Sequence, residues 1–287
     1  MKPAAFDYVA PTSLEEALAL LAERGDEATV LAGGQSLIPL MNLRLARPSL
    51  VVDIGRIEGL RGVDNGGGLR IGALTTQARA LADSAIAGAA PLLVEALEHV
   101  GHPASRSRGT IGGSLAHADP AAELPAVMIA LDASVVVKSS RDARRISASD
   151  FVTGPFTTSL EPGELVTEIA IPEAARERPH GFVELARRRG DFALAGACCT
   201  ASVEDGVIRQ PRLVLFGVGP APIRAREAES ALEGAACVDE DAIEAAARSA
   251  AASCEPSDDV HASAAYRRRI AAVITRRALA RIGGEHG

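Results

Sequence analysis

Two glycine pairs, Gly33-Gly34 and Gly112-Gly113, constrain the fold of this chain more than any other feature. A residue without Cβ lets the backbone pass close to another group and adopt conformations that other side chains forbid. The first pair lies in Ala32-Gly33-Gly34-Gln35-Ser36-Leu37, between the apolar stretch Thr29–Ala32, read as a strand, and a mixed segment from Ser36 to Leu45, read as a helix. At such a junction successive N–H groups are able to converge on an anion. The second pair, in Thr110-Ile111-Gly112-Gly113-Ser114, repeats the design with a hydroxyl residue at each end. Either pair alone is equally a tight turn. Together, each with a serine close behind it, they suit the two ends of a diphosphate. Neither fits the dinucleotide pattern G-x-G-x-x-G or the phosphate-binding P-loop.

The rest of the chain divides around these loops. Thr12 and Ser13 precede the apolar period Leu14, Ala17, Leu18, Leu21, and Gly25 closes it, which predicts a helix. Leu50–Ile54 and Gly68–Ala73 read as strands, Pro91–Val100 as a helix, and Asp119-Pro120 as the cap and first position of another helix ending near Leu131. Strand character follows at Ser134–Lys138, Ile146–Phe151 and Glu164–Ile171. The charged, proline-bounded segment from Pro172 to His180 marks a domain boundary. Beyond it come three strands, Gly181–Arg188, Phe192–Val203 and Val207–Gly217, the last two joined by the hairpin signal Asp205-Gly206. Three helices close the chain, near Arg224–Leu232, Asp239–Ser253 and Ala262–Ile282, the last with an apolar stripe of Ile270, Val273, Ile274 and Ala278. Strands followed by helices predict a separate α+β domain.

Composition narrows the function. The 287 residues carry 30 Lys and Arg against 37 Asp and Glu, a formal charge of −7, with 3% aromatic residues and no Trp, which disfavours nucleic-acid binding. No apolar run approaches the roughly 20 residues of a membrane helix, and the first residues have no signal core, so a cytoplasmic location is expected. Cys198, Cys199, Cys237 and Cys254 lack C-x-x-C spacing and are expected to be buried thiols, with no metal site on this chain.

Five segments carry a resemblance: AGGQSLIPLMNLRLARPSLVVDI, IGALTT, RGTIGGSLAHADPAAELPAV, LEPGELVTEIAIP and ARRRGDFALAGA, with YRRRIAAVITRRAL near the end. In register over the whole chain, they resemble the FAD-binding medium subunit of molybdenum hydroxylases, the carbon monoxide dehydrogenase and xanthine dehydrogenase family. The resemblance implies an α+β protein: a two-subdomain FAD-binding fold of the vanillyl-alcohol-oxidase (PCMH) type over residues 1–175, with subdomains of about 1–55 and 56–175. A C-terminal domain of a three-stranded antiparallel sheet with a helix bundle would occupy 176–287.

It further implies that Ala32, Gly33, Gly34, Gln35, Ser36, Leu37, Thr110, Ile111, Gly112, Gly113 and Ser114 line FAD, with main-chain N–H groups on the pyrophosphate. Glu123 matches an acidic position near the FAD chain, and Phe192 an aromatic position beside the isoalloxazine. Family members often have His, Asn, Asp and Tyr where this chain has Gln35, Ser114, Glu123 and Phe192. From the residues alone, Glu123 equally serves a helix dipole and Phe192 a strand core. His102 and His117, beside the second loop, have no partner at a catalytic spacing and are assigned to loop packing or solvent. The implied role is electron transfer: from the [2Fe–2S] clusters of a small partner subunit to FAD and on to an acceptor such as quinone, NAD or oxygen. Molybdopterin would sit on a large partner subunit, the whole forming a dimer of heterotrimers. A self-contained flavin oxidoreductase and a non-catalytic assembly scaffold are the alternatives.

Overall fold

The computed structural model describes residues 2–284, and the first glycine pair lies at the open end of a small parallel sheet. Strands β1 (Asp7–Val9), β2 (Ala28–Leu31) and β3 (Leu50–Asp53) run parallel in the order β1-β3-β2. Helix α1 (Leu14–Arg24) connects the first two; the Ser13 hydroxyl accepts from the Glu16 N–H at 3.1 Å and the Glu16 carboxylate from the Thr12 N–H at 3.0 Å, a reciprocal cap. Its Ala17, Leu18 and Leu21 pack on Leu50, Val52 and Ile54. Helix α2 (Leu37–Asn42) follows the glycine turn. Strand β1 has no counterpart in the sequence reading, since its three residues are largely exposed and lack alternation.

The second subdomain is an antiparallel sheet under helices. Strands β4 (Val63–Asp64) and β5 (Leu69–Gly72) lead into α3 (Gln77–Leu81), α4 (Ser84–Ala89), α5 (Pro91–His99) and α6 (Pro103–Arg106). Next come α7 (Ile111–His117) and α8 (Glu123–Ala130), then β6 (Ser134–Lys138), β7 (Ala143–Ser147) and the single turn α9 (Ala148–Phe151). Strands β8 (Val152–Gly154) and β9 (Thr157–Thr158) form a small hairpin before β10 (Leu165–Ile171). The main sheet has the order β4-β5-β10-β6-β7.

Three boundaries differ from the sequence reading. The second glycine pair is not in a loop but in the first turn of α7, where the Thr110 hydroxyl caps Gly113 N–H at 3.0 Å. Helix α8 starts at Glu123, because α7 ends on left-handed Ala118 (φ 51°) and the Asp119 carboxylate holds Ala121 N–H at 2.9 Å in an intervening turn. The strand expected at Ile146–Phe151 lies earlier, since Ser147 caps α9.

The C-terminal sheet is a meander, β11 (His180–Ala186), β12 (Ala193–Glu204), β13 (Val207–Phe216) and the short β14 (Ile223–Arg224), which adds a fourth strand to the three expected. Asp205 and Gly206 turn the hairpin with φ of 52° and 77°, as the hairpin signal requires. Helices α10 (Arg226–Leu232), α11 (Glu240–Ala252) and α12 (Ala264–Ala280) cover one face. Strand alternation sends adjacent side chains to opposite faces: Phe182, Cys198, Val214 and Phe216 join the core of the second subdomain, while Ala197, Cys199, Leu213 and Leu215 join the helices. The sheet is therefore a middle layer. On α12 the buried face runs through Arg267, Ala271, Ile274 and Ala278, with Val273 half exposed, because the Arg267 guanidinium donates to the Leu194 and Gly217 carbonyls at 2.7 and 3.2 Å. Cys198, Cys199 and Cys254 are buried free thiols, with burial pushing Cys199 up to about 12; Cys237 is only half-buried.

Polar contacts fasten the sheet to the second subdomain. Arg212 donates to Asp132 at 2.9 and 3.0 Å, Arg281 reaches Glu95 at 2.5 Å and the Phe182 carbonyl at 2.6 Å, and the Thr200 hydroxyl donates to the Ala130 carbonyl at 2.9 Å. On the other side, a Cβ at Gly181 would lie 2.0 Å from the Ala278 carbonyl oxygen, so β11 and α12 approach through a missing side chain. Gly181→Ala is expected to lower unfolding free energy by about 1–3 kcal/mol through overpacking against rigid backbone. Urea denaturation of the purified chain checks it, and an unchanged midpoint would contradict the close approach.

Candidate functional site

The two glycine turns, distant in sequence, touch. A Cβ on Gly33 would lie 2.2 Å from the Arg108 carbonyl oxygen and 2.9 Å from the Gly109 Cα, and one on Gly113 would lie 3.7 Å from the Ala32 Cβ. Gly33 thus serves the contact between the two turns. Gly112 has a similar role, since its Cβ would meet Ala73 at 2.6 Å, and its absence seats α7 on the end of β5.

The turns differ in what they leave free. Among the described residues, the N–H groups of Gly33, Gly34, Gln35, Ser36 and Leu37 donate no hydrogen bond, and the Ser36 hydroxyl caps nothing. Gly34, at φ 72°, turns the chain within this run. Consecutive unpaired N–H groups in a turned backbone form a concave, electropositive seat for an anion. In the second turn the donors are spent. Ile111 and Gly112 N–H bond the Thr75 and Ala73 carbonyls at 3.0 and 2.9 Å, Gly113 N–H bonds the Thr110 hydroxyl, and Ser114 N–H bonds the Thr110 carbonyl at 3.1 Å. What it leaves is the half-buried surface of Gly113 and the Ser114 hydroxyl, which makes no hydrogen bond among the described residues. Thr110 and Ile111 are buried, so the sequence-derived set divides into a donor turn and a supporting turn.

From α7 the site continues along the seam with the C-terminal sheet. The Gly217 N–H donates to the Pro120 carbonyl at 2.8 Å, which fixes the turn before α8 against the end of β13. Glu123, the first residue of α8, is 6% exposed and meets no donor beyond its own backbone N–H; desolvation, then the nearby Asp119 charge, pushes its carboxyl up to about 7. Glu184 of β11 is a second acid in this region, absent from the sequence-based set because it sits mid-strand among apolar neighbours. Its Oε2 is buried without a partner, and burial followed by the charge of Glu123 pushes it up to about 8.

Phe192 lies just ahead of β12 at the tip of the β11-β12 turn and is 65% exposed, so it is not a core side chain. Gly190 in that turn, at φ 86°, sits against His102, whose ring would be 2.7 Å from an added Cβ. His102 is exposed and packs under this turn, while His117 tilts on the exposed Phe156 ring at 5.2 Å between centroids. Arg187 in the same turn contacts His261 at 3.2 Å.

The first turn thus presents free N–H groups, the second braces it, and a buried acid and an exposed aromatic lie downstream. Comparison with known proteins identifies the family. Residues 4–174 match the family described as the FAD binding domain in molybdopterin dehydrogenase, and residues 180–282 the CO dehydrogenase flavoprotein C-terminal domain. The chain belongs to the FAD-binding medium subunits of the molybdenum hydroxylases, and is thus an oxidoreductase subunit. It is 43% identical to the 6-hydroxypseudooxynicotine dehydrogenase complex subunit alpha of Paenarthrobacter nicotinovorans, over 98% of this chain and 95% of that protein. It superposes on the solved carbon monoxide dehydrogenase of Hydrogenophaga pseudoflava with a TM-score of 0.94 and 39% identity, covering 98% of each chain. The quinoline 2-oxidoreductase of Pseudomonas putida 86 gives 0.93 and 39%, covering 99% of this chain and 98% of that one. Among the described residues no helix is long and apolar enough to cross a membrane.

The state of Glu123 has a thermodynamic consequence. Because its folded value exceeds the ordinary carboxylate value, the native state binds more protons in between, and stability falls as pH rises from about 4.5 to about 7. Glu123→Gln removes that loss. In the FAD-free chain the variant is expected to melt higher than the native protein near about pH 8 and to lie close to it near about pH 5. Thermal denaturation at the two pH values checks this, and an equal offset at both contradicts the assignment.

Proposed function

We propose that this chain is the FAD-carrying electron-transfer subunit of a molybdenum-containing hydroxylase. It receives electrons from the [2Fe–2S] clusters of a small partner subunit and delivers them to an external acceptor. A large molybdopterin subunit completes a heterotrimer, and two heterotrimers form the cytoplasmic enzyme. We divide the chain after residue 175, with the FAD subdomains meeting near residue 55.

The run of unpaired N–H groups from Gly33 to Leu37 carries the reading. Those donors suit a diphosphate, and the contacts of Gly33 with Arg108–Gly109 and of Gly113 with Ala32 support a site shared by the two turns. FAD, when bound, supplies the redox chemistry by exchanging electrons one or two at a time. The chain's residues bind and orient it. The N–H run would offset the diphosphate charge, the Ser36 and Ser114 hydroxyls would add donors, and Glu123 and Phe192 would serve the flavin chain and ring. Substrate choice lies outside this chain. Relatives of nearly equal length are named for 6-hydroxypseudooxynicotine, carbon monoxide and quinoline, so one carrier design accompanies very different substrates.

Absorption spectroscopy of the native complex tests the proposal. The complex is expected to carry the visible bands of bound flavin, and the isolated chain to turn over no substrate. Gly33→Val, which drives a branched side chain into the Arg108 carbonyl, is expected to weaken FAD binding by more than about tenfold, or about 1.4 kcal/mol. A native complex that stays colourless after incubation with FAD, or substrate turnover by the chain alone, overturns the reading.

A further inference from the structure

The turn between β11 and β12 reads Arg187-Arg188-Arg189-Gly190-Asp191-Phe192, three arginines against one acid in a chain whose formal charge is −7. All three arginines are exposed. Arg187 is engaged, its guanidinium donating to the His261 ring at 3.2 Å. The guanidinium groups of Arg188 and Arg189 make no hydrogen bond or ion pair among the described residues. The backbone that carries them is nonetheless fixed. Asp191 N–H donates to the Arg188 carbonyl at 3.1 Å, and Gly190, at φ 86°, sits where an added Cβ would lie 2.8 Å from the Gly101 carbonyl oxygen and 2.7 Å from the His102 ring.

This contact links the arginine turn to the donor turn through one short segment. His102 precedes α6, whose four residues span about 6 Å, and Arg108 just beyond α6 has its carbonyl against Gly33. The segment is itself basic. From Val100 to Ala118 the chain has no carboxylate, Arg106 donates to the Val100 and Gly101 carbonyls at 2.8 and 3.1 Å, and the exposed Arg108 side chain makes no hydrogen bond or ion pair among the described residues. Exposed guanidinium groups without partners contribute nothing to packing, and like charges gathered in one turn repel. What such a group does is attract anions from a distance and grip phosphate or carboxylate oxygens through its planar fork. The donors of Gly33–Leu37 lie at the far end of this segment, and Arg188 and Arg189 lie at the Phe192 end, free for a second anion.

We propose that Arg188 and Arg189 form an anion-binding rim that receives a small anionic electron acceptor in preference to a neutral quinone or dioxygen. The acceptor role rests on the FAD reading above; the anion site does not. Within that reading Phe192 serves the flavin ring, so an anion held by its neighbours in sequence stands where electrons leave. One reduced flavin gives up two electrons and two protons. Two ferricyanide ions take one electron each while both protons pass to water, whereas one neutral quinone takes both electrons and both protons. The arginines take no part in that exchange. They raise the local concentration of the acceptor, and salt weakens their effect because the charges are exposed.

Calorimetric titration of the native complex with hexacyanocobaltate(III), a trianion that accepts no electrons, tests the anion site. Its dissociation constant is expected to rise by about tenfold or more between about 0.01 M and about 0.15 M salt, and by about tenfold or more at the lower salt when Arg188→Gln and Arg189→Gln are combined. A native complex that does not bind the trianion, or a double variant that binds it equally well, overturns the site, and the native measurement needs no variant to fold. Steady-state kinetics test the acceptor role. The kcat/KM for ferricyanide divided by that for a neutral quinone is expected to fall by about tenfold or more in the double variant, through the KM for ferricyanide. An unchanged ratio overturns the acceptor role. A double variant that no longer assembles with its partner subunits assigns the arginines to a subunit contact and overturns the proposal. A complex that binds the trianion through these arginines but never takes up FAD supports the anion site and overturns the flavin reading and the acceptor role together.

Discussion

The contact between the Ala32–Gly33 turn and the Arg108–Gly109 turn is the constraint on which the site depends. It joins a parallel β/α unit to a separate antiparallel sheet at one point, and it requires a residue without a side chain at Gly33. On one side of it the backbone donors from Gly33 to Leu37 find no acceptor among the described residues. On the other, every donor of the first turn of α7 is bonded within the protein. Two glycine pairs that look alike in sequence therefore act differently. One presents donors, and the other lets α7 come close enough to brace it.

The C-terminal domain completes the arrangement through its sheet. One face of β11–β13 belongs to the core of the second subdomain, and the other to the helices, so the sheet ties the C-terminal helices to the subdomain that carries the second glycine turn. Ion pairs of Arg212 with Asp132 and of Arg281 with Glu95 line parts of this junction, while Glu123 and Glu184 make no ion pair among the described residues. A buried acid without a partner costs stability, and Glu123 and the Glu184 Oε2 stand in that position.

Much of this was legible in the chain itself. The glycine pairs, the capped first helix, the Asp205-Gly206 hairpin and the opposite facing of Cys198 and Cys199 all follow from local rules, and local rules govern them in the structure. The start of α8 was misplaced because Asp119-Pro120 makes a good helix entry, but left-handed Ala118 and the Asp119 side chain divert the backbone into a turn first. Strand β1 was missed since its pairing with β3, not its own pattern, makes it a strand. Glu184 was illegible for a related reason. Its carboxyl is raised by burial and by the charge of Glu123, sixty-odd positions earlier, neither of which its neighbours in sequence announce. The different donor economy of the two glycine turns likewise depends on Ala73 and Thr75, which lie on another element.

The central claim is that the N–H groups of Gly33–Leu37 receive a diphosphate while those of residues 111–114 do not. Residue-resolved amide hydrogen exchange on the native complex, with FAD present and after its removal, reads this directly. The account predicts that the amides of Gly33–Leu37 exchange rapidly without FAD and become protected when it is bound, while those of residues 111–114 are protected in both states. Unchanged exchange at Gly33–Leu37 on FAD binding, or new protection confined to residues 111–114, would contradict it.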